Sequence, residues 1–360
     1  MLIPFIIDPE ALIQFGADDV DPYVATMLHR SVLNLWERSG VLLIDGGDFN
    51  KSKMKDSIDK LEYRYRNMWI TALGSGNFAK DYVPEWGGEA TPESIAVIRD
   101  RVSLVIIDFS KAIEFGLDEN SYEKEFNKTV TVCRSGALSQ TRLLSRNELL
   151  ANQHIKKDTL IEDVWESRFR SIIEANHVHD LFIVDRYAIS QLFLNGDLKR
   201  GHNLSGLQRF FVWITKSAKS KKSITLYASD KDFRSKDVKK LYGESYEVNE
   251  GEIKFYLTKF INENNLPLNF IKKFKVIVVG DKKFGEFAHD RFFRMGKYIW
   301  DIGCGLEIFQ GDYQEGCEKI RVDKNHSASF KSFPLLVRDY KDIEDNLLKH
   351  RRFEIDIWRQ

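Results

Sequence analysis

The stretch FAHDRFFRMGKYIWDIGCGLEIF, Phe287 to Phe309, decides how the C-terminal half of the chain folds. It predicts a β-hairpin: a strand through HDRFFRM, a turn at Gly296-Lys297, a strand through YIWDIG, then a glycine-rich turn. Successive side chains of a strand point to opposite faces. His289, Arg291 and Phe293 therefore share one face, and Asp290, Phe292 and Arg294 share the other. A His two places from an Arg suits a phosphate. The guanidinium can bind two phosphate oxygens at once, and a neutral imidazole can donate a hydrogen bond or attack as a nucleophile. The same pattern also fits a structural role, with Arg291 paired to an acid across the sheet and His289 filling a half-buried slot.

Outward from the hairpin, the alternation continues. FKVIVVG (274–280), ITLYAS (224–229) and FIVD (182–185) read as buried strands. Between them lie an amphipathic helix over 204–219, a basic helix around 234–242 and a helix over 250–264. Strand, helix, strand, helix and a closing set of strands make an α/β sandwich that begins near His177.

The first half has its own alternation. IPFII (3–7), VLLID (41–45), SLVIID (103–108) and TVTVC (129–133) are strands. Residues 22–38, with Asp21 as N-cap, and 50–73 are amphipathic helices. Residues 74–94 form a Gly/Pro-rich loop ending in the helix start Thr91-Pro92-Glu93, and 137–175 are helical with a weak point near His154. The expected fold class is α/β: an N-terminal domain over 1–175 with a mostly parallel sheet, PIN- or Rossmann-like in outline, and a second α/β domain over 176–360.

Composition narrows the class. The chain has 360 residues, 43% apolar and 30% charged, the balance of a soluble globular protein. No apolar run approaches the roughly 20 residues of a membrane helix. The first residues carry no basic segment ahead of the apolar one, which argues against a signal peptide and for a cytoplasmic location. Three widely spaced cysteines, Cys133, Cys304 and Cys317, suggest neither a disulfide framework nor a four-ligand zinc site. The formal net charge is zero, yet residues 1–150 hold 17 Lys+Arg against 23 Asp+Glu and the remainder 37 against 31. That asymmetry permits an anionic ligand on the second half.

Basic residues could widen a phosphate site there. KSAKSKKS (216–223) sets Lys216, Lys219, Lys221 and Lys222 at a helix end, the candidates for nucleic-acid contact, with binding that depends on salt. Each is also what a solvated helix C-terminus favours. HVHD (177–180) lacks the further ligands a metal site needs, and neither Gly74-x-Gly76 nor GDKKFGEF (280–287) is a phosphate loop.

In the first half, IIDPEALIQFG (6–16) echoes IIDFSKAIEFG (106–116), and FIVDRYAISQLF (182–193) shares the outline: strand, Asp, short helix. Asp8, Asp45 and Asp108 each end a strand, where the carboxyl edge of a parallel sheet can gather acids around Mg²⁺ or Mn²⁺. An Asp there can equally do no more than cap the next helix. The sequence Asp8-Pro9-Glu10 lacks the Asp-x-Asn start of a PIN domain.

From about 177 to 335 the element order, with a His-x-basic strand and a following Gly-x-Gly turn, resembles the phospholipase D-like fold. HDRFFRMGKYIWDIGCGLEIF is similar, more narrowly, to the phospholipase D-like domain at the C-terminus of MIT-domain proteins. Nothing in 1–175 looks like an MIT helical hairpin. Catalytic members of the superfamily use His-x-Lys-x4-Asp and a later Gly-Ser, in two copies within a chain or across a dimer. Here His289 is kept, Arg291 replaces the Lys, Gly296 stands at the Asp position and Gly303-Cys304 at Gly-Ser; Asp301 comes five residues too late, and no second copy is present. The resemblance implies a degenerate active site that binds a phosphodiester, nucleic acid or phosphorylated ligand through His289, Arg291 and Lys297 without cutting it and without a cofactor. It also suits a protein with partners in a bacterial complex, anti-phage defence being the setting by association. The alternative is a nuclease, through a His-x-Arg site completed in a homodimer or through the N-terminal acids and a metal.

Overall fold

Runs of β-branched and aromatic residues become strands buried on both faces, which is why they read as continuous apolar stretches rather than as alternating ones. The computed structural model describes residues 1–15, 20–118, 120–195, 204–231, 243, 248–288, 291–310 and 320–360. Two units result, Met1–Leu149 and Leu150–Gln360.

The first unit holds β1 (Ile3–Ile7), β2 (Gly40–Asp45), β3 (Lys80–Val83), β4 (Leu104–Ile107), β5 (Glu123–Phe126) and β6 (Val130–Arg134). They form one sheet in the order β3-β2-β1-β4-β6-β5, parallel throughout except for β5. The two-residue period divides β1 between two cores. Phe5 and Ile7 join Leu42, Ile44, Trp36 and Trp69 on one side. Ile6 joins Leu43, Val105 and Val132 on the other.

The helix Pro22–Arg38 has the expected bounds, with Asp21 accepting from Tyr23 N and Val24 N. Thr91 caps Pro92–Ile98 in a capping box closed by Ser94. Two expectations fail for local reasons. The helix over 50–73 is two helices, Lys53–Lys60 and Tyr63–Gly74, because Leu61 turns extended at ψ 150°. The loop 74–94 contains the edge strand β3, whose KDYV sequence carries no apolar run to announce it.

The second unit holds β7 (Asp180–Val184), β8 (Lys222–Ser229), β9 (Ile271–Val279), β10 (Phe292–Met295), β11 (Tyr298–Ile302), β12 (Ala328–Lys331) and β13 (Arg351–Arg359). Their order is β12-β11-β10-β7-β8-β9-β13, with β7, β8 and β9 parallel and the other pairs antiparallel. The hairpin is present as β10 and β11, closed by Gly296-Lys297 with Gly296 at φ +62°, a left-handed turn position that glycine adopts without strain. Its faces alternate as the sequence demands. Phe293 enters a ring cluster with Phe169, Phe210 and Phe309. Phe292 meets Tyr340, and Arg294 forms a two-pronged buried ion pair with Glu344 across the other face.

The division at Leu149–Leu150 lies ahead of the boundary expected at 175. Aromatic packing is the reason: Trp165 and Phe169 each stack edge-on against Phe210 at 5.6 Å, so this helical segment belongs to the second unit's core. The basic helix expected around 234–242 lies outside the described residues, as do His289, Asp290 and Cys317.

One buried group in the first unit titrates. His29 is fully buried, stacks on Tyr65 and accepts the Trp69 indole N–H at its Nδ1 (3.0 Å), so its proton sits on Nε2. Burial, assisted by the Arg64 charge, lowers its pKa to about 4. An unfolded His takes a proton near pH 6.5 and the folded one resists until about 4, so stability present above 6.5 declines as pH falls through that window. The loss amounts to on the order of 3 kcal/mol at the acid end. Urea unfolding of the full chain at pH 4 to 6.5 should show this slope in the wild type and a shallower one in His29→Gln, which keeps an acceptor for Trp69. Equal slopes would remove His29 from the account.

Candidate functional site

Asp8, Asp45 and Asp108 stand at the carboxyl ends of the three adjacent strands β1, β2 and β4, as a metal-binding row would require. Their oxygens are already committed. Asp8 accepts from Glu10 N (3.0 Å), Ala90 N (2.9 Å) and Lys111 Nζ (2.8 Å). Asp108 accepts from Lys111 N (2.9 Å), Gln14 Nε2 (2.9 Å) and Ser110 Oγ (2.5 Å), and Asp45 from Lys53 N (2.8 Å). Asp8 and Asp108 thus cap the helices that follow their strands, the alternative the sequence left open, while Asp45 accepts from the first N–H of Lys53–Lys60, a helix whose cap is Ser52.

The Lys111 ammonium sits where a cation shared with Asp8 would have to enter, and its own pKa is raised. Burial alone would lower it, but the hydrogen bond and charge of Asp8, with Glu10 and Glu89, outweigh that. Among the described residues no three His, Cys, Asp or Glu side chains are placed to hold a metal ion. The donor set does not fit Mg²⁺ or Mn²⁺.

In the second unit the corresponding edge lies at the ends of β7, β8 and β9, and it gathers a denser set of groups. Asp185, directly after β7, is fully buried. Its Oδ1 accepts from Tyr187 N (2.9 Å) and its Oδ2 from Leu306 N (2.7 Å). Arg291, the residue before β10, lies alongside because Phe292 pairs with Val184. Its Nε is 3.9 Å from Asp185 and its Nη1 3.6 Å from Glu307, while Nη1 donates to the Cys304 carbonyl at 2.6 Å. The guanidinium lies 4.5 Å from the centroid of the Tyr187 ring. Its Nη2 makes no hydrogen bond among the described residues.

The Gly-Cys-Gly turn is what lets these groups approach. A Cβ on Gly305, at φ +59°, would come 2.4 Å from Asp185 Oδ2 and 2.8 Å from Arg291 Cδ; one on Gly303 would meet Ser327 Oγ at 2.5 Å. Burial pushes the Asp185 carboxyl up, with the Arg291 charge acting against it. Burial, with Glu307, pushes the Cys304 thiol up to about 12, so it is no nucleophile at neutral pH.

Around this centre Arg186 binds Asp281 (2.7 Å), Asp281 accepts from Ser229 Oγ (2.9 Å), Arg352 pairs with Asp230, and Lys231 donates to the Tyr187 hydroxyl (3.0 Å). Lys324 neutralises Glu307 from 3.4 Å. Nine charged side chains meet there, five of them cations. Sequence reasoning passed over Asp185, Tyr187 and Lys231. The FIVD-R-Y outline was visible, but only the β7–β10 pairing reveals that it abuts Arg291.

The other expected residues do not gather here. His289 lies outside the described residues. Asp301 is held on β11 by Lys331 and by the Tyr340 hydroxyl (2.6 Å). Lys297 sits in the hairpin turn, beside the amino end of β7, where Gly296 N donates to Asp180 O. Lys216, Lys219 and Lys221 precede β8 and Lys222 begins it, so they lie at that same amino end. The length of β8 places them about 23 Å from the carboxyl edge.

Lys222 is not on the surface at all. It is fully buried, and its ammonium donates to the carbonyls of Ala175 (2.9 Å) and Val178 and to Ser220 Oγ (2.8 Å), with burial lowering its pKa to about 8. Lys219 pairs with Glu174 (2.7 Å), Lys221 reaches the Gln360 side chain, and Lys216 is exposed.

No family model matches the chain, and no curated protein matches it. Among solved structures the chain is similar to TrmBL2, an archaeal chromatin protein reported to show a novel mode of DNA binding, at 7% identity and a TM-score of 0.23, over 73% of this chain and 88% of that one. A TM-score of that size bears on neither fold nor function. No helix among the described residues is long and apolar enough to cross a membrane.

The buried position of Lys222 separates a structural lysine from a binding one. Lys222→Met should lower stability in urea unfolding by about 1–3 kcal/mol, since two buried carbonyls lose their donor. Affinity for a labelled oligonucleotide should stay within twofold of wild type, and a selective loss of affinity with stability unchanged would reverse the assignment.

Proposed function

We propose that this chain binds a phosphodiester, in nucleic acid or a related phosphorylated ligand, and does not cleave it, with the second unit acting as a degenerate phospholipase D-like domain. The observation that carries this reading is Arg291. It is braced by the Cys304 carbonyl and by Tyr187, and its Nη2 edge is left for a ligand. The location supports it as well, because open α/β sheets take ligands at the carboxyl ends of their parallel strands. A guanidinium fixed on one side keeps its fork geometry and loses little entropy on meeting two phosphate oxygens. Lys231 and Lys324 bring further positive charge, giving five cations to four acids at this edge, a small excess that favours an anion.

Cleavage would need a nucleophile and a proton donor in addition to that grip. Cys304, which stands at the Gly-Ser position, is buried and protonated, and the acid position of the motif is Gly296 in the turn at the far end of the hairpin. The charged edge around Arg291 fits binding, and the acids of the first unit already accept hydrogen bonds from neighbouring N–H groups and Lys111.

Fluorescence anisotropy with a labelled oligonucleotide at low salt tests this directly. Arg291→Ala should weaken binding about tenfold or more, the worth of a charged hydrogen bond, and Arg291→Lys should recover part of it, with thermal melts confirming that both variants fold. The oligonucleotide should remain intact on a denaturing gel. Cleavage that EDTA stops and Asp8→Ala abolishes would establish the metal nuclease instead, and cleavage that survives EDTA but fails in His289→Ala would establish a phospholipase D-type reaction.

A further inference from the structure

The helix Glu250–Glu263 packs one face on the second unit and turns the other outward with an uncommon set of residues. Phe255 is 60% exposed there, on the same face as Lys259 and Asn262 by helical spacing. Two adjoining grooves run along it. One, about 490 Å³, is lined by Lys254, Phe255, Thr258, Lys259 and Glu263, with Lys259 paired to Glu263 at 3.7 Å. The next, about 470 Å³, is lined by Asn265, Asn269, Trp358 and Gln360, and Asn262 borders both.

Each groove therefore has one aromatic ring, and Phe255 and Asn262 are two helical turns, about 10 Å, apart along the axis. Trp358 is fixed in β13 by its indole N–H on the Ile271 carbonyl (3.2 Å), so its ring is presented rigidly. The side-chain amides of Asn262, Asn265 and Asn269 make no hydrogen bond within the described residues. Cations edge the track: Lys254 and Lys259 on the helix, Lys221 through its bond to Gln360, and exposed Lys272 at the start of β9.

We infer that this face is a track for single-stranded nucleic acid, an inference that rests on the reading above and names its ligand more closely. Bases stack on Phe255 and Trp358, the unpaired asparagine amides meet base edges, and the lysines follow the backbone phosphates. Stacking surfaces of this kind tolerate any base, and the lysines that edge the track supply the salt-dependent part of the affinity. A duplex hides its base faces, so the track selects unpaired strands. Of the 216–222 lysines, Lys221 lies beside this track through its contact with Gln360.

The experiment is titration of the full chain with fluorescein-labelled oligo-dT and with a duplex of the same length, at two salt concentrations. Phe255→Ala and Trp358→Ala should each weaken oligo-dT binding about tenfold while Trp358→Phe keeps most of it, and the duplex should bind more weakly than the single strand. Phe255 is exposed, so its variant reports on binding with the fold intact. If Phe255→Ala and Trp358→Phe both bind as wild type and Trp358→Ala does too, while Arg291→Ala weakens binding, the track is refuted and the Arg291 reading stands. If wild type binds no oligonucleotide at low salt, the Arg291 reading itself is refuted for nucleic acid, and the track with it.

Discussion

The carboxylate of Asp185 is the constraint around which the second unit's edge is arranged. It is fully buried, and a buried carboxylate is tolerated only when hydrogen bonds and a counter-charge compensate it. Two backbone N–H groups and Arg291 do so here. Leu306 N can reach it only if the chain passes within contact distance, and that demands glycine at 305, where any side chain would strike the carboxylate. The same close passage brings Leu306 against the helix Gly206–Ser217, where a Cβ on Gly206 would lie 1.9 Å from the Leu306 carbonyl. Asp185, Gly305 and Gly206 thus form one packing unit, and Arg291 is positioned as its fourth member.

The strand pattern and the caps were legible in the sequence because they depend on neighbours a few residues away. β1, β2, β4 and β6 fall within a residue of the runs that announced them, and Asp8 and Asp108 each cap as their strand–Asp–helix outline allows, while Asp185 accepts from Tyr187 N just ahead of its helix. What the sequence could not show is which end of a sheet a residue reaches. Lys297 is six residues from Arg291, yet the hairpin runs antiparallel to β7 and carries the two to opposite ends. Lys222 looked like one more surface lysine in KSAKSKKS, and only the carbonyls at Ala175 and Val178 make it internal. The acid beside Arg291 was sought at position 296 along the chain. Acids reach it instead from β7 and from the turn after β11.

The row of acids in the first unit shows why strand-end aspartates are weak evidence for a metal. Three carboxylates on adjacent strands repel one another unless something neutralises them. The cap N–H groups do part of this, and Lys111 does the rest by bridging towards Asp8 from the helix that Asp108 itself caps. A lysine that supplies the positive charge internally takes over the electrostatic role a divalent cation would have had. The same sequence outline, with a small residue in place of Lys111, would leave Asp8 facing an uncompensated pocket.

The two binding sites proposed at opposite ends of one sheet are physically coherent in a way that a single extended patch is not. At the carboxyl edge of the second unit nine charges lie almost in balance, so the field there is short-ranged and recognition must come from geometry, from one braced guanidinium and its aromatic support. Along the helix Glu250–Glu263 Lys254 is exposed, Lys259 is shared with Glu263 and the amides are unpaired, so the contacts are adaptable. Screened surface cations set how fast and how salt-dependently an anion arrives, whereas a desolvated, bidentate contact sets how long it stays. A chain with both needs no catalytic group to hold a phosphodiester, and the buried, protonated thiol of Cys304 is consistent with an edge shaped to grip.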